Sequence, residues 1–129
     1  MKWKIAIAII VLAATATVFR RFTYEQRSPW PTNGVFVGYY WRGFEVSDFK
    51  PLGTRERWWL TGNIAPVASG FISPSATDRR KFRNGVYLVV RGTLSPEGSY
   101  GHLSHYSREL VVQEVVEVRE VRPDERVHF

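Results

Sequence analysis

Residues 86–95 (VYLVVRGTLS) alternate apolar and polar side chains with a period of two, and no other stretch restricts the fold as tightly. Val86, Leu88, Val90 and Leu94 fall on one side, and Tyr87, Arg91 and Thr93 on the other. Successive side chains of a strand point to opposite faces, whereas a helix would scatter this set around its axis. The segment is therefore expected to be a strand with one buried face. A strand cannot bury that face alone and needs a sheet around it.

The neighbouring segments supply candidates. Residues 34–49 open with Val35, Val37, Tyr39 and Trp41 on one face; the phase then slips beside Gly43, and Phe44 and Val46 continue it. A slip of one residue is what a β-bulge produces, so one long, sharply bent strand is expected. Lys50-Pro51-Leu52-Gly53 is turn chemistry. Residues 57–63 read as a second strand, 67–72 as a short third, and 108–121, with six valines, as the last. Between them lies a helix signature. Ser73 caps, Pro74 takes the first helical position, Asp78 follows, Arg79, Arg80, Lys81 and Arg83 lie towards the end, and Gly85 stops it. The order β-β-β-α-β-β, with a long bent first strand, is that expected of an OB-fold, a five-stranded Greek-key barrel. A six-stranded barrel or a small sandwich is the alternative.

Composition agrees with a closed barrel. With 129 residues the chain has room for one domain, and its 44% hydrophobic content excludes a disordered or collagen-like chain. It holds no cysteine, which excludes disulfides, a thiol nucleophile and a lipid-modified cysteine. A closed barrel explains how 8 Phe, 6 Tyr and 5 Trp are buried without such staples.

The N-terminus carries an address. Residues 5–19, including Ile5, Ile10, Leu12 and Phe19, form an uncharged run flanked by Lys2, Lys4, Arg20 and Arg21. As a helix the run reaches only ~22 Å against a hydrocarbon core of about 30 Å, but snorkelling of the flanking bases and Trp3 at the interface make up the difference. A signal peptide cleaved at Ala14-Thr15-Ala16 also fits, although paired arginines just after the cut suit a retained anchor better. The expected organisation is an anchor or signal at 1–21, a Pro-containing linker at 22–33, the barrel at 34–121 and a polar tail at 122–129. The formal charge is +6, but for residues 22–129 the 14 bases and 12 acids leave only +2. The basic excess thus belongs mostly to the targeting segment and argues little for nucleic acid.

Two stretches carry a family resemblance: Gly43-Phe44-Glu45-Val46-Ser47-Asp48-Phe49-Lys50-Pro51 with Glu56-Arg57-Trp58-Trp59, and Tyr87 to Pro96 running into Tyr100-Gly101-His102-Leu103. Together they resemble a group of small bacterial envelope proteins, many of them lipoproteins. The resemblance implies an envelope location and a β-rich fold and carries no activity. The missing cysteine removes the lipid anchor from what is implied. The expected location is the inner membrane, single-pass with the C-terminal domain in the periplasm; the alternative is a cleaved, secreted periplasmic form.

In an OB-fold the connections between strands 1 and 2 and between strands 4 and 5 flank the ligand surface. On the strand assignment above these are residues 50–56 and 96–107. Arg55, Arg57 and one of Trp58 or Trp59 are expected on that face, since adjacent strand residues point to opposite sides. Tyr100, His102, His105 and Tyr106 come from the second loop. An exposed Trp beside arginines suits stacking or peptide docking. His102 and His105 also have His-x-x-His spacing, but Glu97 or His128 would have to supply a third metal ligand, and a loop packed on the barrel is the plainer expectation. The run Arg79-Arg80-Lys81-Phe82-Arg83 suits anionic headgroups or, more simply, a solvated helix face with Phe82 turned inward. No Gly-x-Ser-x-Gly elbow, paired carboxylates, phosphate loop or zinc motif is present. The expectation is a non-enzymatic binding module without cofactor or metal, whose partners are the membrane and an envelope protein, peptide or cell-surface component, with single-stranded nucleic acid as the lesser alternative.

Overall fold

The computed structural model describes residues 29–72, 80 and 82–129. The expected membrane segment, with Ile5, Ile10, Leu12 and Phe19, lies outside the described residues, as do most of the linker and Ser73, Pro74, Asp78, Arg79 and Lys81 of the expected helix. Among the described residues no helix is long and apolar enough to cross a membrane.

Strands β1 (Asn33–Gly43), β2 (Val46–Pro51), β3 (Trp58–Gly62), β4 (Val86–Leu94) and β5 (Arg108–Glu120) close into a barrel in the order β1-β2-β3-β5-β4, with helix α1 (Ala65–Ile72) between β3 and β4. Every neighbouring pair is antiparallel except β3 and β5, which run parallel. The expectation of a mainly β, five-strand barrel with a short helix is met.

The element order is as expected, but two segments take other roles within it. The long bent strand is two strands. The phase slip at Gly43 marks a chain reversal through Phe44 and Glu45, with Gly43 opposite Val46 and Glu45 at φ 54. Its inner face is also the other one: Phe36 and Tyr40 are buried, while Val35 is 52% exposed. The expected third strand is α1. Ile64, Val67, Ala68 and Phe71 fall at helical spacing and turn one face to the core, and Pro66 sits in the first turn, where its missing N–H costs nothing.

The expected stop at Gly85 holds: its N–H donates to the Phe82 carbonyl at 3.0 Å and its φ is +81. Phe82 turns inward as expected and meets Phe71 edge to face, with ring centroids 5.0 Å apart. In β4, Val86, Leu88, Val90 and Leu94 are all buried, as their alternation requires.

Trp58 is the hub of the core. Its ring contacts Trp30 at 4.9 Å, Phe36 at 5.7 Å and Phe49 at 5.9 Å. Trp30 in turn donates its Nε1–H to Glu56 Oε2 at 2.7 Å, fastening the chain's entry to the end of the barrel that carries the β2–β3 connection. The tail is not free. Glu125 accepts from Tyr39 Oη at 3.0 Å and from both terminal nitrogens of Arg119, and Phe129 lies under Lys50 Nζ at 5.3 Å.

Candidate functional site

Asp48 lies between two inward residues of β2, Ser47 and Phe49, so its side chain leaves the barrel on the outside. It is nonetheless 0% exposed. A buried carboxylate costs several kcal/mol unless its oxygens are satisfied. Arg57, just before β3, satisfies them: Nε donates to Oδ1 at 3.1 Å and to Oδ2 at 2.9 Å, and a terminal nitrogen donates to Oδ2. These bonds to Asp48 push the guanidinium pKa up. The pair fixes an arginine whose own side chain stays 49% exposed.

The floor beneath that arginine is aromatic. Tyr106 is 5% exposed, and its ring centre lies 5.6 Å from the Arg57 guanidinium carbon. Burial, reinforced by the Asp48 charge, pushes the Tyr106 phenol up. Trp59 stands opposite Asp48 in the β2–β3 ladder and meets the Tyr106 ring at 5.1 Å.

The β4–β5 loop is folded over this face. Tyr100 and Tyr106 exchange backbone hydrogen bonds of 2.9 and 3.2 Å, making the loop a small hairpin of its own. Gly101, at φ 70, presses on the Trp59 ring, where a Cβ would collide with it. His102 then reaches the β1–β2 turn, its Nε2 3.1 Å from Glu45 Oε2. At this junction two loop tips expose apolar side chains, Phe44 at 91% and Leu103 at 70%. Leu103 and its neighbour Ser104 hold left-handed backbone, φ 55 and 57, at about 1 kcal/mol each. The β2–β3 ladder has only two rungs, Asp48–Trp59 and Phe49–Trp58. Beyond them the strands part around a cleft of about 370 Å³ lined by Glu45, Val46, Ser47, Trp59 and Thr61.

Of the residues expected at the site, Arg57, Trp59, Tyr100, His102 and Tyr106 come together here. Trp58 does not, because it is the core tryptophan at 0% exposure. Trp59 is the outer one, half-buried beneath the loop rather than open. Arg55 points elsewhere, into a cleft with Arg126 and His128. His105 is an exposed loop residue whose backbone N–H donates to the His102 carbonyl at 3.4 Å. Among the described residues no group of three or more His, Asp or Glu is placed to hold a metal ion.

One of the two connections expected to flank the face also changes. The expected connection 50–56 falls on the end of β2 and the 52–57 segment that joins it to β3, and the short turn at Phe44 and Glu45 takes the flanking place beside the β4–β5 loop. The sequence places none of Phe44, Glu45, Asp48 and Leu103 at the site. Asp48 alone carries a sequence signal, as a charge inside an expected strand.

Compared with known proteins, the chain matches no family model, no curated protein and no solved structure.

Proposed function

We propose that this chain is a non-enzymatic binding module of the bacterial envelope. It is a barrel of OB type, tethered to the inner membrane by residues 1–21 with the barrel on the periplasmic side. It takes a protein, peptide or cell-surface component on the outer face of β2 and β3. The strand order, the parallel β3–β5 pair and the helix between β3 and β4 support the OB assignment. In that architecture the β1–β2 and β4–β5 connections border the ligand face.

The observation that carries the reading is the Asp48-held Arg57 on its Tyr106 and Trp59 floor, bordered by exposed Phe44 and Leu103. A rigid cation between apolar anchors is a hot-spot composition: it offers a fixed positive charge to a carboxylate and two tips to apolar side chains. The test is capture by the membrane-embedded full chain after crosslinking, comparing wild type with Arg57→Lys and Trp59→Ala. Loss of the same crosslinked species in both, with the barrel still folded, supports the face. Unchanged capture in these variants and in Tyr100→Ala and His102→Ala overturns it.

A further inference from the structure

A second surface lies at the end where the chain enters the barrel. Strands β1, β3 and β5 run in one direction, so the start of β1 shares an end with the β2–β3 connection and the β4–β5 loop. Trp30, bonded to Glu56, and the Thr32 carbonyl, accepting from the Leu94 N–H at 2.7 Å, confirm that placement. At this end a cleft of about 360 Å³ opens between the turn after β2 and the C-terminal segment, and Lys50, Arg55, Arg126 and His128 line it. No acidic residue lines it, and among the described residues none of these four side chains is in an ion pair. Leu52, 43% exposed, stands at the tip of the turn.

We propose that Lys50, Arg55, Arg126 and His128, with Leu52 at their edge, form a docking surface for anionic phospholipid headgroups. The inference rests on the tethered reading above. Three observations select lipid over a soluble polyanion. The surface sits at the entry end, with residues 22–32 between it and the apolar segment. Even fully extended, such a linker spans only about 36 Å, so the surface meets the bilayer at high effective concentration. Cations beside an exposed apolar turn match the headgroup–acyl boundary, where bases interact with anionic lipid and an apolar side chain dips in. Docking this end also leaves Phe44 at the opposite end of β1.

The chain has no cysteine, so Thr54→Cys provides a unique dye position in the full-length protein. The probe is vesicles of phosphatidylcholine, with and without phosphatidylglycerol, carrying headgroup-attached nitroxide quenchers. Quenching at position 54 in the anionic vesicles only, and none from a Phe44→Cys label, supports the surface. Arg55→Gln with Arg126→Gln should then weaken it about 25-fold, near fivefold per charge lost.

Equal quenching in neutral vesicles overturns the proposal. So does a label-54 response to an acidic peptide or a single-stranded oligonucleotide in solution that exceeds the response to vesicles. Carbonate extraction separates the two readings. A chain retained in the membrane but unquenched overturns the surface alone, and a chain extracted yet quenched by added anionic vesicles overturns the tether alone.

Discussion

Arg57 grips the Asp48 carboxylate through two of its nitrogens although Asp48 sits on the outer side of β2, where a carboxylate would ordinarily face water. Tyr106 and the β4–β5 loop have taken that water away. The charge is therefore satisfied by geometry alone, and the same geometry holds the arginine still.

Removing the arginine strands the carboxylate. Arg57→Ala should destabilise the barrel by about 3 kcal/mol, at the lower end for a broken buried pair because Arg57 is half exposed. Asp48→Asn, which keeps the shape and lowers the charge, should cost about 1–2 kcal/mol. Urea unfolding of the three proteins checks the order; equal stabilities would show that Asp48 is solvated after all.

The adjacent tryptophans should behave differently. Trp58→Ala opens the centre of the core and should cost about 4 kcal/mol. Trp58→Phe should be far milder, since the buried Nε1–H has no partner to lose. Trp59→Ala should cost about 1–2 kcal/mol, mostly through the loop that rests on it. Thermal melts read all three.

This division was half legible in the sequence. Adjacent strand residues must face opposite ways, so one tryptophan had to be core; which one depends on the register, and no local pattern states the register. The strands at 86–94 and 108–120 were legible because each keeps a β signal over many residues, the first by alternation and the second by its valines.

The β1–β2 turn was hidden because a one-residue phase slip looks the same whether the chain bulges or reverses. Phe44 is also not a turn residue by chemistry, and at 91% exposure it pretends to be core. Helix α1 reads as a strand in the sequence although Ile64, Val67, Ala68 and Phe71 show its period; the run is too short to outweigh its β-branched ends. Asp48 becomes a site residue only once β2 and β3 are aligned and Arg57 lands beside it.

The C-terminal segment should respond to acid. Hydrogen bonds from Arg119 and from the Arg122 N–H lower the Glu125 pKa to about 2, from an ordinary 4.5. A lowered folded pKa means the carboxylate favours the packed segment fully above pH 4.5, and that this contribution fades as pH falls towards 2. The protection of residues 122–129, taken relative to intrinsic amide exchange, should therefore hold at pH 5 and fall below pH 4, while Glu125→Gln should lower it already at pH 5. Protection that does not change between pH 5 and pH 2.5 would show that Glu125 does not hold the segment.

The loop tip carries strain that substitution can relieve. Leu103→Gly removes the left-handed penalty and should leave stability unchanged or raise it by up to about 1 kcal/mol, while weakening partner capture. Gly101→Ala acts oppositely: the positive φ and the Trp59 ring leave no room, and about 2 kcal/mol should be lost. Denaturant midpoints of the two variants check the signs.

Photocrosslinking tests the central claim most directly, with one probe residue at a time placed in the full-length chain within its own membrane. Probes at Phe44 and Leu103 should form a shared adduct that Arg57→Lys abolishes, and probes at Val116 and Val118, also exposed apolar residues but on β5, should form none. Adducts arising from β5, or adducts at the two tips that persist without Arg57, would contradict the assignment of the β2–β3 face.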